Sequence, residues 1–257
     1  MKKSMVDIRD GRIAYQESEG EGQVVLLIHG NSLSAKSFSK QIESPLGKKF
    51  HIIAVDLPGH GDSLPVIDPR NNYSVPGYAE IILALITHLN LSNLVLVGHS
   101  LGGHIALETI EMSPEIKGIV IFGTPPLGIP PAITEAFLDF LDFHSPSLIV
   151  KEGREIPQFF MDDIDNTDPN ARKFLTRNTA KNKFKDERDI VSNLKIPLAI
   201  IHGAHDKLIN LEYIKKLNIP SLWKNEVQII KDAGHSPQWE TPDEFNSILE
   251  EFVKGVI

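Results

Sequence analysis

A chain of 257 residues, 41% of them hydrophobic, is long enough to bury a large core around one sheet without covalent staples, and it holds no cysteine. The missing cysteine excludes disulfides, thiolate metal sites and a cysteine nucleophile, and it suits a reducing compartment. A net charge of −8 repels phosphate backbones and anionic lipid, so neither nucleic acid nor a membrane is expected as a partner.

Lys2 and Lys3 are not followed by the apolar run of a signal peptide, because Ser4, Asp7, Arg9 and Asp10 interrupt it. The longest apolar runs, such as residues 81–86, are too short to cross a bilayer. A soluble, cytoplasmic protein is expected. Residues 5–8 and 12–16 straddle Asp10-Gly11, the dipeptide of a tight hairpin turn. Val24, Val25, Leu26, Leu27 and Ile28 then form a continuous apolar run, as a central strand buried on both faces requires. Residues 52–55, 94–97, 118–122, 198–201 and 227–230 read the same way. Between the runs lie helical spacings. Tyr78, Ile81, Ile82, Leu85 and Leu89 line one helix face; Ile105, Leu107 and Ile110 begin a second helix; Phe245, Ile248, Leu249 and Phe252 mark a third. Strand alternating with helix predicts an α/β fold with a mostly parallel sheet covered on both faces.

The alternation breaks between Phe122 and Leu198. Pro125, Pro126, Pro130 and Pro131 open this segment and Pro197 closes it. It carries helical patterns at residues 133–143 and 156–164, no strand-like run, and seven of the twelve phenylalanines. The predicted organisation is a core domain of residues 1–124 and 196–257, with residues 125–195 inserted as a helical lid over the C-terminal strand ends, where open α/β sheets bind ligands. Phe137, Phe140, Phe159 and Phe160 are the candidates to face a substrate beneath that lid.

The run at 94–97 leads into Gly98-His99-Ser100-Leu101-Gly102-Gly103 and then into a helical pattern. A serine in a G-x-S-x-G turn between strand and helix is held in a strained backbone, at a helix N-terminus whose dipole favours developing negative charge. Ser100 is therefore the candidate nucleophile. The run at 24–28 ends in His29-Gly30-Asn31-Ser32, a turn suited to aim the N–H of Asn31 at a substrate carbonyl oxygen, with the N–H of Leu101 as the second oxyanion donor. His29 is expected to brace this loop by hydrogen bonding. In the turn from Asp56 to Ser63, both Asp56 and Asp62 are expected to serve structure. Among ten histidines, His235 stands after the last strand with Gly234 before it and Ser236-Pro237 after it, which makes it the candidate base. The order serine, acid, histidine asks for a carboxylate just past a strand end. His202-Gly203-Ala204-His205-Asp206 supplies Asp206; Asp232, on the same loop as His235, is the rival.

Taken together, residues 24–32, 56–63, 98–103, 202–206 and 234–237 resemble the α/β-hydrolase superfamily, a likeness covering nearly the whole chain outside the predicted lid. It implies an eight-stranded, mostly parallel sheet with helices on both faces. A narrower likeness rests on His29-Gly30-Asn31-Ser32, Asp56-Leu57-Pro58-Gly59-His60-Gly61, Gly102-Gly103-His104-Ile105, Gly123-Thr124-Pro125-Pro126 and Asp189-Ile190-Val191. These resemble the metal-independent N-acyl-homoserine lactonases of that fold. That resemblance implies opening of the lactone ring of a bacterial quorum-sensing signal, with Asn31 beside the ring. It also implies a lid tyrosine near the lactone. Tyr15, Tyr73, Tyr78 and Tyr213 all lie outside residues 125–195, which leaves Phe159 or Phe160 to fill that space.

The expected function is a serine hydrolase that cleaves a small carboxylic ester or lactone through an acyl-enzyme, with neither cofactor nor metal. Ser100 attacks, His235 moves the proton, Asp206 orients His235, and the N–H groups of Asn31 and Leu101 hold the oxyanion. A general carboxylesterase and a carbon–carbon bond hydrolase stand as alternatives. A small-molecule receptor with a slow triad is the alternative from another class, and many turnovers per molecule would separate it from an enzyme.

Overall fold

The computed structural model describes residues 1–8, 11–138, 146–181 and 183–256. Its apolar runs become eight strands: β1 (Lys2–Ile8), β2 (Gly11–Glu17), β3 (Val24–Ile28), β4 (His51–Val55), β5 (Leu94–His99), β6 (Ile116–Phe122), β7 (Leu198–Gly203) and β8 (Gln228–Ile230). They form one sheet in the order β1-β2-β4-β3-β5-β6-β7-β8. The first hairpin pairs antiparallel, with Ile8 opposite Gly11, and β2 joins β4 antiparallel. Every pairing from β4 through β3 to β8 is parallel. Asp10 of the predicted turn lies outside the described residues.

The continuous apolar strands follow from burial on both faces. Side chains alternate along a strand, so Leu26, Ile28, Leu94, Leu96, Ile119, Ile121, Leu198 and Ile200 enter one core, while Val25, Leu27, Val95, Val97, Val120, Phe122, Ala199 and Ile201 enter the other. The helices Val75–His88 and Leu101–Thr109 contribute Tyr78, Ile82, Leu85 and Ile105 to the first core. The helix Pro242–Val256 contributes Phe245, Leu249, Phe252 and Val253 to the second. Phe245 is fully buried and meets Phe122 edge to face, with ring centroids 4.9 Å apart. Phe245→Ala is expected to lower the unfolding free energy by about 3–5 kcal/mol, because the helix cannot collapse into so large a void. Urea unfolding followed by circular dichroism checks this, and a loss under about 1 kcal/mol would mean that the site repacks.

Between β6 and β7, the described residues contain helices but no strand. The pattern at 156–164 becomes the helix Gln158–Asn166. Two further helices, Pro169–Thr179 and Glu187–Asn193, went unpredicted, although Asp168 before Pro169 is a sound N-terminal signal and the Asp168 carboxylate does accept from the N–H of Asn170. The helix expected over 133–143 ends at Ala136. Its backbone is taken elsewhere: the N–H of Leu138 donates to Leu208, and the carbonyl of Ala136 accepts from Asn210. Phe137 is therefore extended and bridges Ile209. Phe140 and Phe143 lie outside the described residues.

Buried and half-buried polar pairs hold these helices to the loops and helices around the sheet. Tyr73 Oη donates to Asp168 Oδ2 at 2.6 Å, and Ser34 Oγ donates to Asp163 Oδ2 at 2.5 Å. Glu187 accepts from the Leu127 N–H at 2.7 Å and bonds His104 Nδ1 at 2.8 Å. No helix among the described residues is long and apolar enough to cross a membrane.

Candidate active site

The turn after β5 places Ser100 at φ 51° and ψ −116°, a backbone that side chains rarely adopt. Neighbouring backbone enforces it. A Cβ at Gly98 would stand 2.2 Å from the Gly102 carbonyl oxygen, and one at Gly102 would stand 2.2 Å from the Ile28 carbonyl oxygen, so both positions need glycine. The Ser100 N–H donates to Phe122 at 2.8 Å, and Thr124 Oγ1 donates to the Ser100 carbonyl at 2.9 Å. The helix Leu101–Thr109 starts at the next residue, so its N-terminus faces the hydroxyl.

His235 sits in the loop after β8, and its Nδ1 lies 2.8 Å from Asp206 Oδ2. A carboxylate only accepts, so Nδ1 carries the proton and Nε2 is left with its lone pair. Asp206 is buried, and its second oxygen accepts from the N–H groups of Leu208 and Ile209 at 2.8 and 3.1 Å. Burial pushes the Asp206 pKa up, but His235, then His202 and the Leu208 N–H, outweigh it and hold the carboxyl below its ordinary value. Asp206 is therefore ionised wherever His235 needs it. The rival Asp232 is exposed and paired with Arg154 at 2.6 Å and Lys151 at 2.5 Å. These partners hold its carboxyl below the usual range, and it has no contact with His235.

Ser100 and His235 border one cavity of about 70 Å³, together with Asn31, Leu33, Leu148, Ile149, Ile164, Arg172 and Leu208. Asn31 follows β3, and Leu101 opens the helix after Ser100; neither N–H has an acceptor among the described residues. His29 is spent on the loop: its Nδ1 donates to the Gly30 carbonyl at 2.7 Å, and its Nε2 accepts from the Leu57 N–H at 2.9 Å. Asp56 accepts from the N–H groups of Ala35 and Asp62, and burial pushes its pKa up to about 6. Both residues thus hold turns.

The aromatic candidates sit elsewhere. Phe159 and Phe160 pack on each other at 4.6 Å and on Trp239 at 4.8 and 5.7 Å, beside Leu33 and Val150. Neither they nor Phe137 borders the cavity. Trp239 follows His235 by four residues in a short helix. Among the described residues between β6 and β7, those that border the cavity are Leu148, Ile149 and Ile164, all aliphatic, and Arg172. Phe140 lies outside the described residues.

Three contributors were missed in the sequence. His99 Nε2 donates to the His235 carbonyl at 2.9 Å, and its ring stacks on Phe122 at 4.8 Å. Burial, then the electrostatic cost of a second cation beside His235, pushes the His99 pKa down to about 3, so the ring is neutral. Glu240 is buried, and its two oxygens accept from the N–H groups of Gly234, Ser236 and Lys151, which fixes the loop that carries His235. Arg172, on the helix Pro169–Thr179, borders the cavity. Only Glu240 had a signal, an acidic residue one turn after Ser236-Pro237.

The arrangement offers a hydroxyl at a helix N-terminus, an imidazole with a free nitrogen held by a buried carboxylate, and two unspent N–H donors. Residues 25–248 match the alpha/beta hydrolase family. The crystal structure of the N-acyl homoserine lactonase AidH complexed with N-butanoyl homoserine superposes with a TM-score of 0.93 at 34% identity, covering 100% of this chain and 97% of that one. The 2-hydroxy-6-oxononadienedioate/2-hydroxy-6-oxononatrienedioate hydrolase of Escherichia coli (strain K12) is 24% identical over 264 residues, covering 94% of this chain and 91% of the relative. A thermophilic esterase from Thermogutta terrifontis shares the fold, with a TM-score of 0.78 at 20% identity over 98% of this chain and 99% of that one.

Proposed function

The chain belongs to the alpha/beta hydrolase family, and from that premise we propose that it is a serine hydrolase that opens N-acyl homoserine lactones through an acyl-enzyme on Ser100. The observation that carries this reading is that the strained Ser100, the Asp206-bonded His235 and Asn31 border one cavity, in a chain similar over its whole length to such a lactonase. Ser100 Oγ attacks the ring carbonyl while His235 Nε2 takes its proton. The oxyanion is held by the N–H groups of Asn31 and Leu101, each worth about 3 kcal/mol to a transition state. The ring C–O bond breaks, and the departing alkoxide takes the proton from His235. Water then attacks the acyl-enzyme with His235 as base, releasing the acyl-homoserine and restoring Ser100.

Residues 125–195 serve as a lid in this reading. Support comes from Leu148, Ile149, Ile164 and Arg172, which border the same cavity as Ser100. The leaving hydroxyl of a lactone stays tethered and recloses the ring unless water arrives first, so the lid must hold the acyl tail while leaving His235 wet.

Opening of N-hexanoyl homoserine lactone is expected at a pH low enough to suppress spontaneous hydrolysis. Asn31→Ala is expected to cut lactone turnover at least about tenfold more than turnover of an aryl hexanoate, because the Asn31 side chain meets the ring or its amide while the N–H survives the change. Rapid aryl ester cleavage with no lactone opening would overturn this reading and leave a carboxylesterase.

A further inference from the structure

Three polar atoms of the cavity residues are buried without a partner among the described residues: Asn31 Oδ1, Arg172 Nε and His99 Nδ1, the last of which lies against Gly30. The first can only accept a hydrogen bond and the second can only donate one. The Arg172 guanidinium is otherwise engaged through Nη2, which donates to the Ile164 carbonyl, and no described carboxylate forms an ion pair with it. Leaving a buried donor and a buried acceptor unmet is costly, and a site with such groups selects the substrate that meets them. Asn31 Oδ1 and Arg172 Nε are complementary in sign, which narrows the class of ligand. An alkyl chain would satisfy neither. A carboxylate would satisfy Arg172 and set a second acceptor against Asn31 Oδ1. A secondary amide serves both, with its N–H on Asn31 Oδ1 and its carbonyl oxygen on Arg172 Nε.

We propose that Arg172 is a specificity-determining residue that donates to the carbonyl oxygen of a secondary amide close to the scissile carbonyl, so that the preferred substrates are N-acyl-amino esters and lactones. The inference rests on the acyl-hydrolase reading of the same site and adds a residue and a recognition rule to it. It also gives the inserted segment a polar role distinct from apolar cover, since Arg172 lies on the helix Pro169–Thr179.

The test compares two esters of equal chain length, ethyl N-butanoylglycinate and ethyl heptanoate, on the whole protein. Wild type is expected to favour the amide ester in kcat/KM by at least about tenfold. Arg172→Met is expected to lower that preference by about 10- to 100-fold, in line with the loss of a hydrogen bond from a charged donor. Arg172→Lys keeps the charge but loses the Nε–H, so its preference falls in between. Because the readout is a ratio within one protein sample, a partly unfolded variant does not distort it. An unchanged ratio in both variants, or a wild type indifferent to the amide, overturns the proposal. Calorimetric binding of the two esters to Ser100→Ala protein yields the same ratio without turnover. A protein that cleaves neither ester therefore fails as an acyl hydrolase, while amide recognition is still decided by the binding ratio.

Discussion

Ser100→Ala protein is expected to lose hydrolysis by a factor of about 10⁴ to 10⁶ while keeping its fold and its affinity for substrate. The size of the loss follows from the unit in which Ser100 acts. Without the hydroxyl no acyl-enzyme forms, and His235 has no proton to take. What survives is the stabilisation that the Asn31 and Leu101 N–H groups give to direct attack by water. The fold should survive because Ser100 is held by its backbone: its N–H bonds Phe122, and its carbonyl accepts from Thr124. Alanine keeps both bonds and, like serine, carries a Cβ, so the strain at φ 51° is little changed. Steady-state turnover of an aryl ester, beside thermal unfolding of the same preparation, decides the matter. An alanine variant retaining a tenth of wild-type turnover would remove Ser100 from the nucleophile's place.

The second large effect is expected at Asp206. Asp206→Asn should cost about 10⁴ in kcat, although size and shape are conserved. The reason lies in the other side of the carboxylate. Its Oδ1 accepts from the N–H groups of Leu208 and Ile209, so an asparagine must keep its carbonyl oxygen there. Its NH2 then faces His235 Nδ1, which must accept, and the ring proton moves to Nε2. The imidazole is held in place and cannot act as a base. Asp232→Asn removes only exposed ion pairs with Lys151 and Arg154 and should change kcat/KM less than about threefold. The opposite ranking in kcat/KM would transfer the acid role to Asp232.

Some of this architecture could be read from the chain by itself, because its causes are local or periodic. A strand buried on both faces must be apolar at every position, so the run from Val24 to Ile28 announces itself whatever packs upon it. The turn around Ser100 is equally legible, since the two atoms that exclude side chains at Gly98 and Gly102 belong to a backbone that any strand–turn–helix of this kind brings along. Asp206 and His235 became candidates through chain order and their positions after strand ends, and the structure joins them by one hydrogen bond. The lengths of helices were less legible where other segments compete for the backbone. Residues 133–143 have helical spacing, yet Leu208 and Asn210 capture the groups of Leu138 and Ala136, and the helix stops.

The sequence by itself thus determined the sheet, the strained serine turn and the candidates for base and acid, because each depends on neighbours a few residues away or on a repeating pattern. Only the tertiary structure decided what surrounds them. Phe159 and Phe160 were candidates for the pocket because a large aromatic must be buried somewhere; the surface that buries them belongs to Trp239, about eighty residues along the chain. Glu240 holds the loop of His235 through the N–H groups of Gly234 and Ser236, and although an acidic residue one turn after Ser236-Pro237 is a local signal, which backbone groups it would meet is set by the packed loop. Arg172 gave no sign among the solvated charges of its segment. Its meaning comes from one buried N–H without an acceptor and from bordering the same cavity as Ser100, and both are properties of the packed molecule that no local stretch of chain contains.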